Sequence, residues 1–161
     1  MGARIGIGID SHRFAAERPF VLGGVRIAER WGLQGHSDAD ALTHAIIDAL
    51  LGAAALGDIG SHFPPEDEQW ADADSQDLLA RTLDLVAGRG FRVVNVDATV
   101  IAERPPLAAH LPAIRTRLAH SLGIPEDAVS VKATRPEGMG ALGRGEGVTV
   151  QAIAQIEARD D

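Results

Sequence analysis

Two short segments of the chain combine aspartate and histidine at spacings that suit a metal ion. Asp10 and His12 close an apolar stretch, and because one residue separates them, an extended backbone projects both side chains to the same side. His44 follows Asp38 and Asp40 inside a long apolar segment. One carboxylate and two imidazoles suit a divalent ion such as zinc, and three protein ligands leave one coordination position open, as in catalytic sites. From spacing alone, a structural role for each histidine explains the same residues about equally well.

The residues around His44 also predict what orients its ring. Asp40 and Asp48 lie four residues before and four residues after His44, so all three share one face of a helix. A carboxylate that binds the second nitrogen of a ligand histidine fixes its tautomer and orientation. We therefore expect Asp40 or Asp48 to hold His44. The ordinary alternative for Asp38 and Asp40 is helix capping.

Three further segments have the composition of phosphate-binding loops. His36 and Ser37 precede a predicted helix, where free N–H groups favour an anion, although capping by Ser37 is the favoured interpretation from the residues alone. Asp58 lies between glycines in residues 57–60, which either bind a ligand or simply end the helix. Residues 132–147 lead from a strand into a glycine-rich loop with Thr, Arg and Glu, which suits a diphosphate and its metal ion. A mobile loop is the alternative.

Composition narrows the class of protein. A chain of 161 residues predicts one domain spanning residues 1–161. The net charge of −8 disfavours a nucleic-acid partner, and an aromatic content of 4% supplies few rings to stack on bases. The absence of cysteine excludes disulfides and a cysteine nucleophile. We see neither a signal peptide nor an apolar run of membrane-spanning length, and so expect a cytoplasmic protein with no membrane partner.

Periodicity predicts an alternation of strands and helices. The predicted strands are residues 4–10, 92–102, 129–134 and 148–156, with a hairpin at 20–27; the predicted helices run from an N-cap at Ser37 or Asp38 to about Leu56, from Ser75 to Gly88 or Gly90, and over 106–122. This order predicts an α+β fold, a two-layer sandwich whose mixed sheet has helices on one face. Val94, Val96, Ala98 and Val100 should form one face of their strand, opposite Asn95, Asp97 and Thr99. We expect that polar face to meet a sister subunit.

Glycines in the first strand predict a close approach. Gly6 and Gly8 alternate with isoleucines there, and the absence of side chains at these positions would let another backbone or a ligand come near. The helix that carries His44 is rich in Ala, Leu and Ile, so we expect it to be buried on several sides.

Six segments together resemble the 2-C-methyl-D-erythritol 2,4-cyclodiphosphate synthase family. They are Gly8-Ile9-Asp10-Ser11-His12, Gly35-His36-Ser37-Asp38-Ala39-Asp40, residues 48–60, Asn95-Val96-Asp97, residues 131–134 and residues 143–147. The resemblance covers nearly the whole chain. It implies a homotrimer with its sheets facing the three-fold axis and active sites between adjacent subunits. It also implies a phosphorus–oxygen lyase of the non-mevalonate route to isoprenoid precursors, which cyclises 4-diphosphocytidyl-2-C-methyl-D-erythritol 2-phosphate to 2-C-methyl-D-erythritol 2,4-cyclodiphosphate and releases CMP.

The same resemblance implies roles for individual residues. Asp10, His12 and His44 would hold Zn²⁺, and Glu137 a second divalent cation, Mg²⁺ or Mn²⁺. His36 and the residue at position 135, here Arg135, would be catalytic. The implied substrate-binding positions are Asp10, Ser11, His12, His36, Ser37, Asp58, Ile59, Gly60, Phe63, Asp67, Ala102, Pro105, Pro106, Leu107, Ala108, Ala133, Thr134, Arg135, Glu137 and Arg144.

The chain departs from the family pattern at three positions. Pro106 stands where a lysine is frequent, Arg135 where a threonine is frequent, and Pro65 where an aspartate is common, while Asp67 is kept. The charge of Arg135 could replace that of the missing lysine. We expect these departures to affect nucleotide binding and to leave the metal ligands untouched.

Two other functions compete with the cyclase. A zinc-dependent phosphohydrolase would need an activated water and a general base, for which Asp58 is the obvious candidate. A metal-stabilised trimeric scaffold would need neither. A serine hydrolase is disfavoured because no Gly-x-Ser-x-Gly motif occurs.

Overall fold

A five-stranded mixed sheet organises the computed structural model, which describes residues 2–159. The predicted domain also contains residues 1, 160 and 161, which lie outside the described residues. The strands are β1 (Arg4–Ala16), β2 (Phe20–Leu22), β3 (Val25–Ala28), β4 (Trp31–Leu33), β5 (Phe91–Ile101), β6 (Val129–Thr134) and β7 (Gly147–Ala158). The sheet order is β4-β1-β7-β5-β6, in which only β5 and β6 are parallel, and β2 and β3 form a separate hairpin.

The helices cover one face of this sheet. They are α1 (Ala41–Ala53), α2 (Ile59–His62), α3 (Ser75–Gly88), α4 (Leu111–Leu122) and α5 (Gly140–Gly143), with 3₁₀ turns at Glu68–Trp70 and Glu126–Ala128. α1 packs on β1 and β7, α3 packs on α1 and β5, and α4 packs on β6 and α3. The predicted α+β architecture with a mixed sheet is therefore confirmed. The described helices include none with the length and apolar composition needed to cross a membrane.

The strand glycines set how closely α1 approaches the sheet. A Cβ added to Gly6 would lie 1.9 Å from the carbonyl oxygen of Ala49, and one added to Gly8 would lie 1.9 Å from that of Ala45. The helix backbone therefore rests directly on β1, as the glycines predicted. This contact brings His44 of α1 against the middle of β1, where Asp10 and His12 lie.

The opposite face of β1 is apolar and uncovered in the single chain. Ile5, Ile7 and Ile9 are 71%, 63% and 55% exposed, and Ile153 on the neighbouring β7 is 47% exposed. The residues of β7 that face the helices are buried, as their alternation predicted: Val148, Val150, Ala152, Ala154 and Ile156.

Several predicted boundaries were wrong for tertiary reasons. β1 continues past Asp10 to Ala16 because its second half pairs with both β7 and β4. α1 begins after Asp40, not after Ser37 or Asp38, and it ends at Ala53 instead of Leu56. The third long helix begins at Leu111 and not at residue 106.

Two further local predictions need correction. A register shift in the pairing of β5 with β7, between Val93 and Asn95, makes Val93 the buried residue and leaves Val94 half-buried, off the predicted apolar face. Part of the predicted glycine-rich loop is the short helix α5.

Candidate metal centre and phosphate-binding cleft

Asp10, His12 and His44 converge on one point beside the middle of β1. The Asp10 Oδ2 atom lies 2.7 Å from His12 Nε2 and 3.3 Å from His44 Nδ1. One potential ligand atom from each residue lies within 4.8 Å of the others. The extended backbone aligns the first two side chains, and the close approach of α1 supplies the third. Asp10 and His12 therefore lie on the same side of β1, and His44 lies beside them, as the predicted metal site requires.

A backbone carbonyl fixes the orientation of the His12 ring. His12 Nδ1 lies 2.7 Å from the carbonyl oxygen of Gln34, which can only accept a hydrogen bond. Nδ1 must therefore carry a hydrogen, so Nε2 is the nitrogen that faces Asp10 and is available to a cation. Such an orienting bond is typical of ligand histidines.

His44 is oriented by a hydroxyl group from another helix. Its Nε2 lies 2.7 Å from Ser75 Oγ at the first position of α3. The Ser75 hydroxyl donates its only hydrogen to Asp38, so His44 Nε2 must donate to Ser75. His44 Nδ1 is then the ring nitrogen that faces Asp10. The expectation that Asp40 or Asp48 holds His44 was wrong, because Ser75 and Asp38 do so.

Asp40 and Asp48 perform other tasks. Asp40 is fully buried and accepts hydrogen bonds from Gly23 N, Gly24 N, Thr43 N and Thr43 Oγ1, which caps α1 and ties it to the β2–β3 hairpin. Burial raises the pKa of Asp40, and these donors offset part of that effect. Asp48 accepts a hydrogen bond of 2.7 Å from Ile59 N and so joins α1 to α2.

The electrostatics of the cluster favour a shared cation. Burial alone would raise the pKa of Asp10, but its contacts with the His12 and His44 rings outweigh burial and lower it. Burial alone would lower the pKa of His12, whereas its hydrogen bond with Asp10 raises it. With the outer nitrogens of both rings committed to Gln34 and Ser75, the two inner nitrogens and a carboxylate oxygen of Asp10 lie within 4.8 Å of one another. This donor set fits a divalent cation such as zinc.

The metal-ligand cluster opens on a cleft of about 300 Å³. Its lining residues are His12, His36, Ser37, His44, Ile59, Gly60, Phe63, Pro65, Trp70 and Leu78. His36, Ser37, Ile59, Gly60 and Phe63 were all predicted to bind substrate, and the fold brings them together here. Trp70 and Leu78 were missed. Trp70 packs edge-to-face on Phe63 with ring centroids 5.1 Å apart, a contact that sequence spacing does not reveal.

Two predicted carboxylates lie outside the lining of this cleft. Asp58 caps α2 by accepting hydrogen bonds of 2.8 and 2.7 Å from Ser61 N and Oγ. These bonds lower the pKa of Asp58. Asp67 caps the following 3₁₀ turn through the backbone N–H of Gln69.

A second, smaller cavity lies between the end of β5 and the end of β6. It measures about 170 Å³ and is lined by Ala102, Pro105, Pro106, Leu107, Ala108, Ala133, Thr134 and Arg135. All eight were predicted as substrate-binding positions from the family resemblance. Glu137 does not line this cavity, and it belongs to no cluster of three possible metal ligands among residues 2–159.

The two remaining predicted residues lie near the start of β7. Ser11 Oγ is 2.8 Å from Thr149 Oγ1, across the β1–β7 pair. Arg144 forms an ion pair with Glu146 at 3.1 Å. Neither lines the cleft of about 300 Å³ beside the candidate metal ligands or the smaller cavity.

An α+β domain with an oriented Asp/His/His cluster at the mouth of a cleft has the construction of a metalloenzyme. Comparison with known proteins makes the assignment specific. The chain matches the YgbB family over residues 3–157. It therefore belongs to the YgbB family.

Named relatives agree with this family assignment. Over 158 residues the chain is 56% identical to the 2-C-methyl-D-erythritol 2,4-cyclodiphosphate synthase of Thermosynechococcus vestitus, with 98% of both chains covered. The CDP complex of IspF from Plasmodium falciparum superposes with a TM-score of 0.86 and 30% identity, over 99% of this chain and 98% of that one. The bifunctional IspDF of Campylobacter jejuni has a TM-score of 0.95 and 40% identity over 98% of this chain, which spans 43% of that longer protein.

Proposed function

We propose that this chain is a 2-C-methyl-D-erythritol 2,4-cyclodiphosphate synthase. It converts 4-diphosphocytidyl-2-C-methyl-D-erythritol 2-phosphate to the cyclic diphosphate and CMP in the non-mevalonate route to isoprenoid precursors. The observation that carries the proposal is the convergence of Asp10, His12 and His44 beside a cleft that also presents His36 and Ser37. The named relatives support the choice of reaction.

The reaction is an intramolecular phosphoryl transfer. An oxygen of the 2-phosphate bonds to the β-phosphorus of the diphosphate, and the bond from that phosphorus to the CMP oxygen breaks, with CMP keeping the electron pair. This balance makes the enzyme a phosphorus–oxygen lyase. Because nucleophile and electrophile belong to one molecule, holding the substrate in a ring-closing pose supplies much of the rate. The phosphate nucleophile is already anionic and needs no general base.

The cations neutralise the charge that crowds together in this pose. Asp10, His12 and His44 would hold Zn²⁺, which when bound polarises a phosphate oxygen and stabilises developing negative charge. Glu137 would contribute to a second site for Mg²⁺ or Mn²⁺, with the substrate phosphates completing its ligands. His36 donates a hydrogen bond to a phosphoryl oxygen from the cleft wall. Arg135 places a positive charge at the smaller cavity, where the nucleotide would lie.

A homotrimer would complete the site. Ile5, Ile7, Ile9 and Ile153 leave an apolar surface uncovered on the sheet, and burying it between subunits would be favourable. In a trimer the metal-containing cleft of one subunit would meet the smaller cavity of its neighbour. We propose one catalytic domain per chain, acting in the cytoplasm on this small molecule.

The state of Asp58, the candidate general base, disfavours the competing phosphohydrolase function. Asp58 accepts two hydrogen bonds from Ser61, and its lowered pKa makes it a poor acceptor of a proton from water.

Product analysis with the cytidine substrate tests the proposed function. Phosphorus NMR should show the cyclic diphosphate with stoichiometric CMP. Linear phosphates would instead identify a hydrolase. An absence of turnover would support the metal-stabilised scaffold. His44→Ala should lose both bound zinc and turnover because one of three ligands is gone. His120→Ala, an exposed histidine on α4, is the control and should keep both. Retention of stoichiometric zinc by His44→Ala would contradict the assignment of the metal site.

A further inference from the structure

The segment that carries His36 is anchored through consecutive carbonyl groups. Each carbonyl oxygen of residues 34–37 accepts a hydrogen bond from a distant part of the chain. In order, the donors are His12 Nδ1 at 2.7 Å, Arg18 Nη1 at 2.8 Å, the Asp72 backbone N–H at 3.1 Å and Arg18 Nη2 at 2.8 Å. All four carbonyl groups of this segment are therefore held by contacts within the protein.

Arg18 provides half of these anchors with a single rigid group. Its two terminal nitrogens bind the carbonyl oxygens of Gly35 and Ser37, the residues on either side of His36. A guanidinium group is a planar fork of fixed donors, so the two bonds together fix the relative orientation of the Gly35–His36 and Ser37–Asp38 peptide groups. Neither the metal cluster nor the proposed reaction requires Arg18 to touch the substrate.

The backbone of Arg18 is itself held in place. The preceding Glu17 donates its N–H to the carbonyl oxygen of Arg30 at 2.8 Å. Gly32 of β4 lies so close to the following residue that an added Cβ would be 2.1 Å from the Pro19 carbonyl oxygen. Within residues 2–159, Arg18 also forms no ion pair with a carboxylate. Its side chain thus links the loop between β1 and β2 to residues 34–37.

The backbone N–H groups of the same segment, unlike its carbonyl groups, are available to a ligand. The backbone N–H groups of Gly35, His36 and Ser37 have no hydrogen-bond partner among the described residues. Adjacent free N–H groups next to an imidazole are donors for an anion with several oxygens, such as a diphosphate. His36 and Ser37 both line the cleft that contains the metal ligands.

We propose that Arg18 is a positioning residue that presets the His36 segment to receive the diphosphate of the substrate. It acts through the carbonyls of Gly35 and Ser37 and makes no contact with the substrate. The inference rests on the proposed function only in taking a diphosphate as the ligand of this cleft.

Kinetics of Arg18 variants test this role. Arg18→Ala should reduce kcat by about 10- to 100-fold, since a displacement of about 1 Å in a positioning element has an effect of this size. Arg18→Lys should recover little, because an ammonium group cannot replace the fork. Added methylguanidinium should restore part of the activity of Arg18→Ala. Arg26→Ala is the matched control, since Arg26 belongs to the same part of the chain but only forms an exposed pair with Glu29.

Two measurements separate positioning from substrate contact and from general stability. In the ¹H–¹⁵N spectrum of the zinc-loaded, substrate-free protein, the amides of residues 35–37 should shift or broaden in Arg18→Ala; a residue that acted only by contacting substrate would leave them unchanged. The unfolding temperature should change no more than for other losses of a half-buried hydrogen bond. If Arg18→Ala does not fold, the same comparison between Arg18→Lys and the unsubstituted protein decides.

Binding of inorganic diphosphate distinguishes this inference from the proposed reaction. By calorimetry, Arg18→Ala should bind diphosphate at least several-fold more weakly than the unsubstituted protein and Arg26→Ala. If the unsubstituted protein fails to cyclise the cytidine substrate and this difference persists, the proposed reaction fails and the role of Arg18 stands. A kcat and a diphosphate affinity within twofold of the unsubstituted protein, with unchanged amides at 35–37, would overturn the role of Arg18.

Discussion

The cleft beside the Asp10, His12 and His44 cluster and the smaller cavity at the end of β5 are built in opposite ways. In the cleft, each ligand histidine has its second nitrogen held by a group from another segment, Gln34 or Ser75. In the smaller cavity, the lining is mainly alanine and proline, and the side chain of Arg135 is exposed without an ion pair among the described residues. The fold therefore fixes the orientation of the polar side chains in the cleft, whereas in the smaller cavity it fixes only the shape of the lining. Substitutions around the cleft should have large, interdependent effects on stability and metal affinity, and substitutions in the smaller cavity should have small effects on nucleotide affinity.

The largest expected effect comes from separating α1 from β1. Gly8→Ala would force a Cβ against the Ala45 carbonyl oxygen, which lies 1.9 Å from its position. We expect the free energy of unfolding to fall by roughly 1–3 kcal/mol or more, as for overpacked cores. Zinc affinity should fall too, because His44 moves away from Asp10 and His12.

Denaturant unfolding and metal titration measure both consequences of Gly8→Ala. Gly88→Ala is the control, since an added Cβ there meets nothing within 4 Å. Binding of CDP to the smaller cavity should survive in Gly8→Ala wherever the protein remains folded. An equal loss of zinc and CDP binding in Gly8→Ala would contradict the statement that the cleft and the smaller cavity respond differently to substitution.

A smaller effect is expected from removing the group that orients His44. Ser75→Ala leaves all three ligands in place but removes the acceptor of His44 Nε2. Loss of such an orienting partner lowers metal affinity by about 10- to 100-fold. Zinc competition with a chromophoric chelator measures the change. Ser121→Ala, which removes a half-buried bond to Gln76 elsewhere, should leave zinc affinity unchanged; if both variants lose it equally, the orienting role is wrong.

The smallest effect is expected at the nucleotide end. Pro106→Lys restores a positive charge to the smaller cavity, and an exposed charge contact contributes about 0.2–1 kcal/mol, or up to roughly fivefold in CDP affinity. The KM should fall while kcat stays constant, since no reacting group moves. Ala113→Lys adds the same charge on an exposed position of α4 and controls for net charge. A large change in kcat for Pro106→Lys would show that this cavity also constrains the chemistry.

Local rules predicted the parts of the site that lie within one element. The period of a strand aligns Asp10 with His12, and glycines at alternate positions indicate the contact with α1. The partner of His44 could not be predicted this way, because Ser75 lies 31 residues further along the chain and reaches His44 only through packing of α3 on α1.

The start of α1 shows a second limit of sequence reasoning. Ser37, Asp38 and Asp40 all have the side chains of helix caps. Asp40 is the residue that caps α1, because its carboxylate also accepts hydrogen bonds from the N–H groups of Gly23 and Gly24 in the turn between β2 and β3. The register shift that buries Val93 instead of Val94 likewise depends on pairing with β7. In each case a long-range partner decided between options that are equivalent locally.

The alternation in β1 has a further consequence for folding. Because Gly6 and Gly8 offer no side chains to the interior, this half of the strand attaches to the core through backbone contact alone. The apolar groups that it does carry, on Ile5, Ile7 and Ile9, all point away from the helices and stay more than half exposed, so they gain little hydrophobic stabilisation within the single chain. The half of β1 that leads into Asp10 and His12 thus contributes little apolar burial to an isolated protomer, so covering its outer surface would also stabilise the candidate metal centre.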